Sequence, residues 1–176
     1  MDRIFEGDMT ADLDARIKDC LCACFPPDRA VFSVTRAWHG TFPAWSLVEE
    51  EGGRVIGQIG IVLREIRAGG IPVTVAGIQN VAVLPDARGT GLGRRLMEAA
   101  MDAAAADGVA FGLLFCVPKL GPYYGAQGWK VNPVEARMDF EGRLAVPIHG
   151  KNICMVRELA GPVFPSGDID LRGADW

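Results

Sequence analysis

Three glycines in the middle of the chain stand at alternate positions, directly before a stretch of strong helix formers. The segment consists of Arg88, Gly89, Thr90, Gly91, Leu92 and Gly93. Glycine lets backbone N–H groups turn toward a ligand with no Cβ in the way, and the N-terminus of a helix adds partial positive charge. The pattern therefore predicts a phosphate-binding loop between a strand and a helix.

The spacing of these glycines does not fit the two commonest phosphate motifs. A P-loop requires G-x-x-x-x-G-K-[ST] and a dinucleotide fold requires G-x-G-x-x-G, and the segment satisfies neither. A dinucleotide-binding domain remains an alternative class of function. Stabilisation of the protein by NAD would favour that alternative.

The segment does satisfy [QR]-x-x-G-x-[GA], and here the chain resembles the GCN5-related N-acetyltransferase (GNAT) superfamily. The run from Asn80 to Val83 lies where the family has a bulged strand. Tyr124, Gly128 and Trp129 match the family's Y-x-x-x-G-[WF] signature. Strand, loop, helix, strand and tyrosine follow one another in the family's order.

The resemblance implies one α/β domain over residues 1–176, with a mixed antiparallel and parallel central sheet flanked by helices. It also implies an acyl-CoA-dependent N-acyltransferase that takes acetyl-CoA as its cosubstrate. The positions that would bind coenzyme A are Val81, Ala82, Val83, Arg88, Gly89, Thr90, Gly91, Leu92, Gly93 and Arg94.

Two residues would take part in the chemistry if the family's mechanism applies. The backbone N–H of Val81 would stabilise the oxyanion, and Tyr124 would protonate the departing thiolate. An ordinary phenol has a pKa near 10 and a thiol one near 8.5, so this transfer would meet little resistance. The amine would attack directly in a ternary complex.

The general base is open at this stage. Gln79 lies where several relatives have a glutamate, and an amide cannot accept the proton. The alternatives are a neutral amine or a water chain to a carboxylate, and each candidate group is also typical of a solvated surface position. The candidates are Asp28, Glu135, Asp139, His149, Asp175 and the C-terminal carboxylate. An acyl-enzyme at Cys116 is disfavoured, because no histidine or acid is placed by sequence to activate that thiol.

Two weaker resemblances concern the acceptor. The run from Phe32 to Pro43 is similar to the nodulation N-acyltransferase protein A, and the run from Asp170 to Trp176 is similar to the aminoglycoside 2'-N-acetyltransferases. Both imply a small amine acceptor, an amino sugar or aminoglycoside. The implied acceptor-side residues are Arg36, Trp38, Gln79, Asp175 and Trp176. A longer acyl chain and a non-catalytic sensor of coenzyme A are the alternatives.

The amino-acid composition further limits the classes of protein and of partner that fit this chain. The chain has 176 residues, of which 49% are hydrophobic and 23% charged, as in an ordinary globular domain. A net charge of -4 disfavours nucleic acid and suits a cationic ligand. There is no apolar run long enough for a membrane span, and we expect a cytoplasmic protein. The five cysteines are read as reduced core residues, with no metal site, and a homodimer is left open.

Hydrophobic periodicity predicts the elements that position these residues. The predicted helices are Thr10 to Phe25, Gly91 to Asp107 and the short Pro122 to Gln127. The predicted strands are Trp45 to Glu49, Val55 to Ile66, Val73 to Leu84, Val109 to Val117, Trp129 to Val131 and Asn152 to Leu159. The first three strands form an antiparallel meander, and the strand–helix–strand order after it predicts a parallel crossover. Residues 28–43 are predicted to be loop or short helix.

Overall fold

The helices and strands predicted from periodicity are present in a computed structural model, which describes residues 1–148 and 152–176. The helices are α1 (Ala11–Cys24), α2 (Arg29–Phe32), α3 (Leu92–Ala106) and α4 (Gly121–Gly125). The strands are β1 (Asp2–Phe5), β2 (Trp45–Glu51), β3 (Arg54–Ala68), β4 (Ile71–Val83), β5 (Phe111–Cys116), β6 (Lys130–Asn132), β7 (Ala136–Phe140), β8 (Arg143–Pro147), β9 (Ile153–Glu158) and β10 (Ile169–Asp170). The predicted α/β fold with a mixed sheet is confirmed.

Internal contacts group the chain into two compact units. The first contains residues 1–62, 79–100 and 176, and the second contains residues 63–78 and 101–175. Strands β3 and β4 and helix α3 contribute residues to both units. No helix in the described ranges is both long enough and apolar enough to span a membrane.

In the first unit, β1, β2 and β3 form an antiparallel ladder in which Trp45 lies opposite Ile61. Helix α1 begins at the N-cap Thr10, whose hydroxyl accepts a hydrogen bond from the Leu13 backbone at 3.2 Å. The apolar face of α1 buries Ile17 and Leu21 completely. These side chains form one core with residues of β2, β3 and β4, which fixes the strand end that precedes the glycine-rich loop.

In the second unit, β4 pairs with β5 in parallel, and β5 continues antiparallel into β9 and then β6. The predicted parallel crossover is thereby confirmed. On the other side of the unit, β10 pairs antiparallel with β3 and parallel with β7. Gly112 of β5 leaves room for Trp129, because a Cβ there would lie 2.7 Å from the indole ring.

Strands β1, β7, β8 and β10 were not among the predicted strands, and α2 lies within residues 28–43, which were predicted to be loop or short helix. Strand β1 has four residues, α2 has four and β10 has two, so none is long enough to show a hydrophobic period. Each is held by tertiary pairing or packing instead. For example, β1 exists because its residues lie opposite β2, with Arg3 across from Leu47.

Candidate functional site

The glycine-rich loop joins β4 to α3, as predicted. Gly89 and Gly91 both have φ of +78°, in the left-handed region that strains any residue with a Cβ. A Cβ at Gly89 would meet nothing within 4 Å, so the surface in front of this glycine is open. Helix α3 begins directly afterwards at Leu92, and the first N–H groups of a helix have no intrahelical acceptors. The loop therefore has the backbone geometry that the sequence predicts, and its binding of a phosphate stays a prediction.

Side chains of the loop brace its own backbone. The Arg88 guanidinium donates from Nε to the Val83 carbonyl at 3.0 Å. The Thr90 hydroxyl donates to the Ala87 carbonyl at 2.8 Å, and Arg95 donates to the Thr90 carbonyl at 2.8 Å. In these three bonds the loop backbone contributes carbonyl oxygens and no amide hydrogens.

The first turns of α3 sit close to the sheet because β3 has a glycine beneath them. A Cβ on Gly57 would lie 2.9 Å from Leu92 and 3.0 Å from Leu96. Both leucines are buried, whereas Arg94 faces solvent with its guanidinium 3.9 Å from the Glu98 carboxylate. Gly57 was not predicted as a site residue. A glycine within a Val- and Ile-rich strand is the signal that would have found it.

Strand β4 carries an irregularity just before the loop. Asn80 has φ of +51° inside the strand, the conformation of a residue in a β-bulge. Its side-chain amide donates to the Arg36 carbonyl at 2.9 Å, and its own carbonyl accepts from the Gln58 amide. The ladder between β4 and β5 ends at the pair Gly77 and Leu113, before the bulge.

The three residues after the bulge alternate in exposure. Ala82 is buried in the core beneath α1, whereas Val81 and Val83 are half-buried. This alternation is that of a strand with one face on the core. The role of the Val81 N–H stays a prediction.

Gln79 is buried and positions the segment from Arg36 to Thr41. It is 1% exposed, and its amide donates to the Thr41 carbonyl at 2.9 Å. Together with Asn80 it attaches this segment to the bulge at two points. The structure thus gives Gln79 an internal contact, and its contact with an acceptor stays a prediction.

Arg36, implied above as an acceptor-side residue, is buried, and its contact with an acceptor stays a prediction. It is 3% exposed. Its Nε lies 2.6 Å from Asp14, and its Nη2 lies 2.8 Å from Glu6. Burial alone would raise the pKa of Asp14, but hydrogen bonds from Lys18 and Arg36 outweigh it, and the pKa lies below its usual range. Arg36 therefore fastens α1 to the segment that follows α2.

Trp38 is half-buried and packs on an aromatic neighbour. Its ring centroid lies 5.7 Å from that of Phe32, with the two planes 29° apart. His39 and Gly40 then turn the chain with φ of +45° and +78°, and Thr41 donates its backbone N–H to the Trp38 carbonyl at 2.8 Å. The ring of Trp38 belongs to a small hairpin and anchors it.

Tyr124 lies on α4 and is 8% exposed. Its ring makes edge contacts with Tyr123 at 5.1 Å and Trp129 at 6.4 Å between centroids. Burial, and to a smaller extent the neighbouring Cys116 and Tyr123, raise the pKa of Tyr124 above its ordinary value. The phenol is therefore protonated at neutral pH, and it is a weaker acid than an ordinary phenol, whose pKa is near 10.

Cys116 ends β5 and is buried beside Met155, with the two sulfur atoms 3.9 Å apart. Burial raises the pKa of its thiol. A buried, protonated thiol is a poor nucleophile, which agrees with the expectation that Cys116 forms no acyl-enzyme.

The tail is packed in the structure. Asp175 and Trp176 are 8% and 6% exposed. Burial lowers the pKa of Arg64 and nearby Asp175 opposes that shift, while the guanidinium donates to the Ala174 carbonyl at 2.5 Å. Asp175 thus faces an internal cation, and contact of either residue with an acceptor stays a prediction.

The remaining candidates for the general base are scattered. Glu135 is exposed and pairs with Arg137 at 2.6 Å, while Asp28 and Asp139 are partly exposed. His149 lies outside the described residues. Among the candidates that the structure describes, it gives no reason to prefer one as the base.

A family model described as an acetyltransferase (GNAT) domain matches residues 9–132. That span includes the bulge, the glycine-rich loop and Tyr124. No curated protein matches the chain.

Solved structures share the fold at low identity. A GNAT family N-acetyltransferase (YhbS) from Escherichia coli, in complex with CoA, is 20% identical, with a TM-score of 0.65 over 97% of this chain and 88% of that one. A GNAT family acetyltransferase from Brucella melitensis, in complex with acetyl-CoA, is 24% identical, with a TM-score of 0.62 over 96% and 93%. An aminoglycoside 6'-N-acetyltransferase complexed with coenzyme A is 12% identical, with a TM-score of 0.63 over 93% and 100%.

Proposed function

Because the chain belongs to the GNAT acetyltransferase family of acyl-CoA-dependent N-acyltransferases, we propose that it transfers an acetyl group from acetyl-CoA to the primary amine of a small cationic acceptor. The observation that carries this proposal is the loop after β4. There, two glycines with φ of +78° open into the N-terminus of a fifteen-residue helix.

The residues present fit coenzyme A. The pyrophosphate needs several donors that approach without steric obstruction, and the open backbone at Gly89 and the first turn of α3 provide them. Arg88 and Arg94 are exposed on the same segment and add positive charge. Val81 to Val83 would bind the pantetheine arm through backbone groups. When bound, acetyl-CoA supplies the activated acetyl group as a thioester.

Two groups of the chain would then act on the reaction. The backbone N–H of Val81 would donate to the oxygen that gains negative charge as the amine attacks. Tyr124 would hold a proton at its phenol oxygen until the thiolate departs. Because burial raises the pKa of Tyr124, the phenol carries that proton across the whole neutral range.

Gln79 does not supply the general base, because its amide already donates to the Thr41 carbonyl and has no basic nitrogen. We propose that the acceptor loses its proton to water, or arrives as the neutral amine, and then attacks directly in a ternary complex. The buried Gln79 instead positions the segment from Arg36 to Thr41.

An amino sugar or aminoglycoside is the acceptor class that we favour. The net charge of -4 suits a cationic ligand. A solved structure with the same fold carries the name of an aminoglycoside 6'-N-acetyltransferase, which adds the 6'-amine to the positions worth testing. Trp38, Asp175 and Trp176 stay proposed acceptor-side residues. Arg36 would act as a positioning residue through the segment that it anchors.

The test is release of free coenzyme A thiol from acetyl-CoA across a panel of amines. The panel contains aminoglycosides with and without 2'- and 6'-amines, glucosamine oligomers, polyamines and a lysine-rich peptide. Release confined to amino sugars supports the acceptor class. Release with the peptide alone contradicts it. Stabilisation by coenzyme A without any release, also with longer acyl donors, points to the sensor alternative instead.

Tyr124→Phe tests the acid. We expect turnover to fall about a hundredfold or more, as is typical when a general acid is removed, while coenzyme A affinity is kept. Tyr123→Phe is the matched control, because it removes the neighbouring phenol, which is 43% exposed. Equal turnover in the two variants would remove Tyr124 from the mechanism.

A further inference from the structure

Gln58 is a polar residue at an enclosed position of a mostly apolar strand. It lies in β3 between Gly57 and Ile59, and it is 2% exposed. Burying an amide costs free energy unless the amide is hydrogen-bonded. The Gln58 side-chain amide donates to the backbone carbonyl of Asn80 in the neighbouring strand β4. Gln58 therefore holds a main-chain group at the bulge.

The backbone conformation of Asn80 explains why its carbonyl needs a side-chain partner. Asn80 has φ of +51°, whereas an extended residue has a negative φ. A bulged residue departs from the regular ladder, so its backbone groups lose their usual strand partners. A buried carbonyl without a donor costs free energy. Gln58 supplies the donor that the ladder does not.

The carbonyl that Gln58 holds belongs to the same peptide group as the N–H of Val81. This peptide group is trans. A trans peptide group is planar, and its C=O and N–H point in opposite directions. Because the Gln58 amide approaches the carbonyl from β3, the N–H of Val81 points away from β3. The bond that fixes the carbonyl therefore also fixes the direction of the N–H.

A second contact gives the same direction for the Val81 N–H independently. The backbone N–H of Leu84 donates to the Ile56 carbonyl of β3 at 2.9 Å. Successive N–H groups of an extended strand point to alternate sides, so the N–H of Val81, three residues earlier, points away from β3. On that side the described ladder between β4 and β5 ends at Gly77, before the bulge.

We propose that Gln58 is a positioning residue that orients and polarises the Val81 N–H for the oxyanion. The role rests on the proposed acetyl transfer, in which that N–H donates to the thioester carbonyl oxygen. The Gln58 bond prevents a flip of the peptide group between Asn80 and Val81, which would turn the N–H toward β3. Because linked hydrogen bonds polarise one another, donation to the Asn80 carbonyl also makes the Val81 N–H a stronger donor.

The face of β3 that carries Gln58 is covered by the segment from Arg36 to Pro43. Residues two apart in a strand share a face, and on this face a Cβ at Gly60 would lie 3.3 Å from Pro43. The Asn80 side chain donates to the Arg36 carbonyl of the same segment at 2.9 Å. Gln58 therefore acts through the peptide group that it holds, and not by contact with a substrate.

The test is the infrared band of the acetyl carbonyl of acetyl-CoA, labelled there with carbon-13 and bound to the full chain without an acceptor. A hydrogen bond to a carbonyl oxygen lowers its stretching frequency. Gln58→Met fills nearly the same volume without a donor. We expect the band to move to higher frequency in this variant. Coenzyme A, which lacks the acetyl carbonyl, should keep its Kd within about twofold by calorimetry.

Val48→Ala is the matched control. Val48 is 2% exposed and lies directly opposite Gln58 in the ladder of β2 and β3. Its truncation removes buried methyl groups but no hydrogen-bond donor, so the melting temperature should fall while the carbonyl band stays in place. With an amine that the wild type acetylates, Gln58→Met should lower kcat about tenfold and leave the KM for acetyl-CoA unchanged, because the oxyanion bond strengthens in the transition state.

Gln58→Asn keeps the amide but withdraws it from Asn80 by one methylene group, so it serves as the test if the methionine variant does not fold. It should shift the band in the same direction. Unshifted bands in the Gln58 variants would overturn the proposed role, and so would an equal shift in Val48→Ala. Failure of the wild type to bind acetyl-CoA is a different result, because it would overturn the proposed function and the role of Gln58 with it.

Discussion

Two neighbouring segments of the first unit use polar groups in opposite ways. The loop from Leu84 to Gly91 is mostly exposed, and its donors belong to the backbone. The polar groups of the segment from Arg36 to Pro43 bind internal partners: the Arg36 guanidinium pairs with Asp14, and the carbonyls of Arg36 and Thr41 accept from the amides of Asn80 and Gln79. The polar groups of the loop are exposed and available to a ligand, whereas those of the segment bind partners inside the protein.

This difference shows which kind of site can be recognised from the sequence alone. A backbone-built loop needs glycines at fixed positions, because only they adopt positive φ cheaply. Such a requirement is written directly in the sequence. The role of an arginine such as Arg36 cannot be recognised in this way, because it depends on which carboxylates the fold places beside it.

The largest effect is expected from Arg36→Met, which removes the cation between Glu6 and Asp14. It should destabilise the protein by about 3 kcal/mol, because two partly buried carboxylates lose their shared partner. The measurement is urea unfolding at neutral pH. Arg172→Met is the control, since its bond to Glu65 at 3.0 Å is exposed and its loss should cost about 0.5 kcal/mol or less. Equal losses in the two variants would contradict the internal role of Arg36.

The Arg36→Met variant should also change how the stability of the protein depends on pH. The pKa of Asp14 is lowered in the folded protein, so its contribution is present above its unfolded pKa of about 3.9 and is lost as pH falls through the folded value. In Arg36→Met this acid-side decline should become shallower.

A smaller effect, on stability and on ligand binding, is expected from Gly91→Ala. The left-handed φ of +78° makes a Cβ cost about 1 kcal/mol of stability, and the methyl group would stand on the loop proposed to bind the phosphate, 3.6 Å from the Arg95 guanidinium. We expect coenzyme A to bind about tenfold more weakly by calorimetry. Gly70→Ala, with φ of +81° in the turn between β3 and β4, should cost similar stability and leave affinity unchanged. Loss of affinity in both would show that strain alone is responsible.

An effect on stability alone is expected at Asn80, the bulge residue of β4 that holds the Arg36 segment. Asn80→Ala loses the bond to the Arg36 carbonyl and keeps the left-handed strain, which should cost about 1–2 kcal/mol. Asn80→Gly loses the same bond but relieves the strain, and should cost about half as much. The melting temperatures of the wild type, Asn80→Gly and Asn80→Ala measure this order of stability. If glycine were the worse substitution, the bulge would not depend on the left-handed conformation.

The main elements were predictable because each carries its own periodicity. Helix α1 was predicted from Thr10 to Phe25 and is found at Ala11–Cys24, and α3 was predicted from Gly91 to Asp107 and is found at Leu92–Ala106. The meander and the parallel crossover followed from strand spacing. The family, the fold class and the type of enzyme are confirmed, while the acceptor and the individual site residues stay proposals.

What escaped prediction depends on contacts between distant residues. Gly57 matters because Leu92 lies over it. Gln79 was predicted to be an acceptor-side residue. The structure adds that it is buried and that its amide donates to the Thr41 carbonyl. In each case the partner is more than 30 residues away in the chain.

The sequence by itself determined the glycine-rich loop, the order of the main strands and helices and the family. These properties follow from local backbone requirements and from hydrophobic periods, which neighbouring residues set together. Only the tertiary structure decided that Arg36 is an internal cation, that burial raises the pKa of Tyr124, and that the acidic tail packs against Arg64. Burial and charge pairing depend on which distant groups meet, and no local pattern records that.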